Sequence, residues 1–449
     1  MTSRSRRFAF AFAVFAAGCM FAHGARPANA DPIPPGWEAS NMYPVGYSDL
    51  NGRGGAFKLS IRHVNGHWYL YMGHLWNSGW TILDVTDPSS PHVANFIPGP
   101  ENTSTLQMTM NDDLMVTALE QPLRGWGGDP DKPFDEGVLL WDIHDPVHPK
   151  LLSHWKTGAG GTHRNSYPGG KYAFLSAHQV GYKDKILIIL DVSDPRHPKE
   201  AGRWWMPGQK AGETPPDGPI GFHGPAMLNA DGTIATMGYA PDLINLDISD
   251  PAHPKLIGKL QLSPPFIQAG AQSEHSALPI PGTGLVHINS EAAAENCSTD
   301  AQNLAALIDN SNMAKPRLIS VYPIPKPPAD APYKSFCDKG GRFGPHNTNQ
   351  EQHLPDVEKQ AKLIYLTYFN AGLRIFDIKD PYRPVESGWF IPPQPTKRIG
   401  PKPSTILVNQ TEDVLVDTRG YIYIDDKQWG LFILRYNGPD QPAPTATSP

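Results

Sequence analysis

Apolar positions in this chain fall into short runs rather than helical stripes, and one run recurs. A stretch of apolar residues ends in Asp-x-x-Asp-Pro, passes a second Pro, and restarts with polar and apolar positions mixed. Five copies are plain: ILDVTDPSSPH ending at His92, LWDIHDPVHPK at Lys150, ILDVSDPRHPK at Lys199, NLDISDPAHPK at Lys255 and IFDIKDPYRPV at Val385. An unbroken apolar run predicts a strand buried on both faces. The first Asp (Asp84, Asp142, Asp191, Asp247, Asp377) can bond its own backbone in an Asx-type turn, and Asp-Pro fixes the reversal into the next strand. Upstream, segments such as HRNSYPGGKYAFLSAH predict two further short strands joined at Pro-Gly-Gly. Each repeat therefore holds about four antiparallel strands. From Asp247 to Asp377 the interval is twice the usual one, so a degraded copy is expected between them, near Val321 in LISVYPIPKP.

Four-stranded units repeated at this period predict an all-β protein, a seven-bladed β-propeller of four-stranded antiparallel blades. The count comprises the five copies, the degraded one, and a last unit from Thr405 to Tyr436 that lacks the phrase; six or eight blades fit the same spacing. Residues 31–436 form the propeller, with insertions expected near 121–136 and 292–317, and 437–449 read as a disordered tail. The repeats resemble the LVIVD family over most of the chain. That resemblance implies a β-propeller and says little about activity.

Composition agrees: 48 Pro and 42 Gly against 18% charged residues suit many short strands and turns. A net charge of -6 and the lack of a phosphate-cradling GxxxxGK[ST] loop argue against a nucleic-acid surface or a nucleotide site. Residues 1–30 read as an export signal, with MTSRSRR as basic start, FAFAFAVFAAGCMFA as apolar core and ARPANA as cleavage site. Ser5-Arg6-Arg7 followed by Phe8-Ala9-Phe10 resembles a partial twin-arginine signal, and lipidation at Cys19 is the competing reading. No later segment is apolar enough to span a bilayer, so the protein is expected in the periplasm or outside the cell. Cys297 and Cys337 would remain, either as a disulfide or as two unrelated thiols.

Aligned on the phrase, four consecutive blades carry a histidine at one point, the start of the first strand: His163, His223, His275 and His346. First strands line the axis of a propeller, so the four converge, and neutral imidazoles meeting at a point suit Fe or Cu, with Zn, Ni or Mn as further candidates. Channel-lining or purely structural roles are the alternatives. Blades 2 and 7 show Leu106-Gln107 and Thr405-Ile406 near that point. Second strands return to the same face, where they end at His74, Glu120, His178, Ala240, Glu291 and Asn370. Glu120, Glu291 and His178 are the candidate catalytic residues; Glu120, Glu291 and Glu274 are placed to orient ligand rings. His353 is a spare candidate ligand. Trp76, Trp80, Trp126 and Trp204-Trp205 are candidates for a pocket wall or for packing between blades, and His148, His197 and His253 read as exposed turn residues.

Four axial histidines on a seven-bladed propeller are similar in architecture to carotenoid cleavage oxygenases, and metal-dependent propellers of the selenium-binding, methanethiol oxidase type are similar too. That resemblance is one of architecture and carries over no substrate; the four-histidine centre itself is read as that of a metal-dependent oxidoreductase, O2-using, acting on a small organic or sulfur substrate. A metal-dependent hydrolase or lyase, or a metal-free binding scaffold, are the rival expectations.

Overall fold

The computed structural model describes residues 30–441 except 77, 215–217, 263–271, 293, 296–303 and 400–405. The expected export segment before residue 30, the end of the tail and Cys297 lie outside the described residues. Seven antiparallel sheets follow one another around an axis, giving the seven-bladed all-β propeller. Blade 1 is typical, with strands Ala56–Val64, His67–His74, Gly79–Asp84 and His92–Pro98 from axis to rim. In blades 3 and 6 the axial strand is irregular and is held by single bridges, Thr162 to Ala177 and Ser166 to Phe174 in one, Thr348 to Leu366 in the other.

The apolar half of the recurring phrase is the third strand. In blade 3, Lys185–Asp191 is paired on both edges and its Ile186 to Leu190 core is fully buried. Its last residue makes the expected turn, the Ser193 N–H donating to Asp191 Oδ1 at 3.0 Å. The same bond recurs at Asp84, Asp142, Asp247 and Asp377. It also recurs at Asp309, which accepts from the Ser311 N–H at 3.1 Å. That corrects the placement of the degraded copy: it is Ala305–Asp309 and the turn after it, while Arg317–Val321 is the rim strand of the same blade. Loss of Asp-Pro at this copy hid it, although the turn geometry survives without it.

The turn has a second task. Eleven residues after the first Asp, the rim strand carries Asn95, Ser153, Gly202, Gly258, Ser320 or Gly388 at a β-bulge. Here the next blade's turn docks. Asn95 Nδ2 donates to Val147 O at 2.7 Å, Ser153 Oγ to Pro195 O at 2.6 Å and Ser320 Oγ to Pro381 O at 2.7 Å. At Gly202 and Gly258 the carbonyl comes closer, a Cβ on Gly202 standing 1.9 Å from Pro251 O and one on Gly258 2.4 Å from Met313 O, whereas Gly388 faces the Tyr436 ring and Ser40 O instead of a turn. Each phrase thus closes its own blade and latches it to the blade before.

The chain start completes the ring. Met42–Ser48 forms the rim strand of blade 7, pairing with Gly430–Tyr436, and its Gly46 receives the Pro88 carbonyl of blade 1 in the same latch. Glu38–Ser40 adds a strand outside blade 6.

Candidate metal centre

The axial strands converge as their spacing implies. Successive ring centroids stand 4.6 Å apart for His163 and His223, 4.5 Å for His223 and His275, and 4.8 Å for His275 and His346. The remaining places at this level are Phe57 in blade 1, Leu106 in blade 2 and Glu412 in blade 7. The Phe57 ring meets His346 edge-on at 5.5 Å, and the His346 Nδ1–H donates to the Glu412 carbonyl at 2.8 Å. Blade 7 therefore reaches the axis with Thr411–Val416, not with the Thr405-Ile406 pair, of which Thr405 lies outside the described residues and Ile406 is exposed.

At the centre of the arc stands Glu291, the last residue of Leu285–Glu291. Its Oε2 lies 3.9 Å from His223 Nε2 and 3.6 Å from His275 Nε2, and its Oε1 lies 3.8 Å from His346 Nε2. Donor atoms sharing one ion at about 2.0–2.2 Å are themselves separated by about 3–4 Å, so His223, His275 and Glu291 are spaced as ligands. Two ring nitrogens, His223 Nδ1 and His275 Nε2, are buried and have no hydrogen-bond partner among the described residues. Burial, with neighbouring positive charge second, pushes His223, His275 and His346 well below the usual histidine range. They are neutral at pH 7, with lone pairs available.

The remaining histidine is oriented from behind. His163 Nδ1–H donates to Glu120 Oε2 at 2.6 Å, which leaves its Nε2 as the acceptor. Burial alone would raise Glu120, but the charge and hydrogen bond of His163 outweigh it and hold the carboxyl below its ordinary value. His178 and Lys185, paired across Tyr172–His178 and Lys185–Asp191, line the same cavity. The other strand-end residues serve the framework: His74 bonds Gly54 O and Thr81 Oγ1, and Asn370 holds Phe336 O and Gly340 O. Glu274 is buried beside His275. His353 is not brought to the arc; its Nε2 bonds Met110 O, and it lines a cavity with Gln350 to Gln352 instead. Trp80 packs edge-on against Trp141, while Trp126 lines the cavity.

One level below lies a polar layer that sequence reading missed. Arg164, 1% exposed, crosses the axis and donates to Gly224 O, His275 O, Ser276 Oγ, Asn347 Oδ1 and Gln350 Oε1, binding blades 3 to 6 together. Burial pulls its guanidinium down to about 10, still charged at neutral pH. On the opposite side Lys58 pairs with Glu351 at 3.1 Å and Asp413 at 3.3 Å. Arg342 reaches Glu291 Oε1 at 3.0 Å from above. The only signal in the sequence is that the residue after each axial histidine is never a large apolar one.

Above the arc opens a cavity of about 420 Å³, lined by His163, His223, His346, Glu120, Glu291 and, on the other side, Phe57, Leu106 and Trp126. Residues 64–95, 169–205 and 240–261 match the LVIVD repeat. The chain thus carries LVIVD repeats on a seven-bladed β-propeller. No curated protein matches the chain. Among solved structures, the β-propeller domain of Myceliophteria thermophila Cps50 (Swd1) is similar with a TM-score of 0.50 at 11% identity, over 85% of this chain and 96% of that one. The periplasmic gluconolactonase PpgL of Pseudomonas aeruginosa is similar with a TM-score of 0.50 at 11% identity, over 84% and 97%. At such identity the LVIVD propeller shares a fold with them. No helix among the described residues is long and apolar enough to cross a membrane.

Proposed function

We propose that the axial cluster holds one transition-metal ion, Fe or Cu by its nitrogen-rich donor set, and that the protein is an exported metal-dependent oxidoreductase acting on a small molecule. The observation that carries this reading is the convergence of three buried, neutral ring nitrogens on one carboxylate at 3.6–3.9 Å. His275 Nε2, one of the three, has no hydrogen-bond partner among the described residues, and a buried nitrogen left so favours a ligand. Glu291 faces the Nε2 atoms and not the outer nitrogens, so it is placed to share an ion with the rings rather than to orient one of them from behind.

A redox-active ion held by His223, His275 and Glu291 would supply one-electron chemistry and Lewis acidity at the floor of the cavity. The chain supplies the rest. Glu120 fixes the His163 tautomer, Arg342 holds Glu291 in place, and Arg164 ties blades 3 to 6 together beneath the site. His178 and Lys185, at the cavity wall, are positioned to hold a proton beside a reacting group.

The test is elemental analysis of the mature chain and of a His223→Ala/His275→Ala double variant. About one equivalent of Fe or Cu, lost in the variant, is expected. A folded wild type that takes up no metal after reconstitution would leave the binding-scaffold reading in its place.

A further inference from the structure

The axial ring is divided. Blades 3 to 6 contribute histidines, whereas blades 1 and 2 contribute Phe57 and Leu106 at the same level. These two, with Leu75 and Trp76, form a hydrophobic cluster separate from every blade core, and Trp126 packs against it. A blade core excludes water between strands; this cluster faces the cavity instead.

The roof over it is the insertion at 121–136, to which the sequence gives no task. Leu123 and Trp126 reach the cavity from this loop, and Leu123 is 64% exposed at its lip. The loop is seated firmly. Gly127, at φ +96°, rests on Trp76, where a Cβ would come within 2.3 Å of the Trp76 Cβ. The indole of Trp126 faces two cations, Lys427 at 4.2 Å and Arg342 at 5.0 Å from the ring centroid. A tryptophan held this way offers a fixed flat wall without rearrangement.

Charge completes the picture. Lys185 and Arg342 line the cavity against Glu120 and Glu291, and Arg124 at the lip is paired outward with Asp129 and Asp131, so the inner four balance and a bound dication would make the cavity net positive. Among the described residues the Lys185 ammonium pairs with the half-exposed Asp184, at 3.5 Å.

We propose that this cavity takes a small aromatic oxyanion, a phenolate or arylcarboxylate, with its ring between Trp126, Phe57 and Leu106 and its oxygen toward the histidine arc and Lys185. The inference rests on the metal reading above and names its substrate class. The volume lies within the roughly 300–1,000 Å³ of sites that take small organic molecules.

The experiment is calorimetry on the metal-loaded protein with benzoate (ring and oxyanion), benzyl alcohol (ring alone) and acetate (oxyanion alone), beside elemental analysis of the same sample. Benzoate is expected to bind at least about tenfold more tightly than either of the others. Trp126→Ala and Leu123→Ser should weaken benzoate by about tenfold and about threefold and leave acetate unchanged, while Lys185→Met should abolish the preference for benzoate over benzyl alcohol. Tyr382→Ala, far out on a turn, serves as the control. A loaded protein that binds acetate as well as benzoate, or in which Trp126→Ala changes nothing, overturns this inference alone. A protein that holds no metal overturns the centre and this inference together.

Discussion

Glu291 is the residue on which most depends, since one side chain meets three ring nitrogens and a guanidinium. As a ligand, Glu291 should matter more than an orienting partner, so Glu291→Gln should lower metal affinity by more than the roughly 10- to 100-fold typical of such partners while leaving the fold intact, as measured by competition with a chelator. Glu120→Gln should have a smaller effect confined to His163, because it removes an orienting partner and not a donor atom. A second residue-scale prediction concerns Glu358. Burial, only partly offset by hydrogen bonds from Gln360 and Tyr365, raises its carboxyl to about 7. The unfolded chain ionises it near its ordinary value of 4.5 while the folded protein keeps the proton, so its contribution to stability is lost as pH rises between 4.5 and 7, and is flat above. Glu358→Gln should therefore flatten that part of the profile and stabilise the protein at pH 8 by on the order of 2 kcal/mol, read from urea midpoints. The axial histidines were legible in the sequence because they share one alignment column. Arg164, Arg342 and Glu412 were not, since their partners lie in other blades and no local pattern announces them.

At the scale of the element, the latch explains the repeated phrase better than any ligand does. Gly202→Ala would drive a methyl group into the Pro251 carbonyl and should cost about 1–3 kcal/mol, seen as an earlier unfolding midpoint. Ser153→Ala removes only a hydrogen bond to Pro195 O and should cost about 1 kcal/mol. The third strand and its turn could be read directly, because an apolar run and Asp-x-x-Asp-Pro are local signals. The docking site could not be read until the blades were assembled, although its constant spacing of eleven residues was present throughout. The blade 5 copy escaped notice for a related reason: Asp309-Asn310-Ser311 keeps the turn bond but has lost the proline that makes the phrase conspicuous. The axial strand of blade 7 was likewise missed, since Glu412 and Asp413 are buried acids where an apolar start was expected.

For the whole molecule, ring closure by Met42–Ser48 sets the terms. Deleting residues 31–48 removes the rim strand of blade 7 and the latch at Gly46, leaving Gly430–Tyr436 as an open sheet edge. Such a variant retains all four axial histidines and Glu291, yet is expected to self-associate by light scattering and to hold metal poorly. The strand that finishes the propeller is thus among the first parts of it to be synthesised, and its partner strand, Gly430–Tyr436, is the last strand of the chain. No shorter chain, however many blades it has completed, offers residues 42–48 a partner, so assembly contains its own measure of length. A chain cut off before residue 430 carries the histidines but not the ring that presses them together.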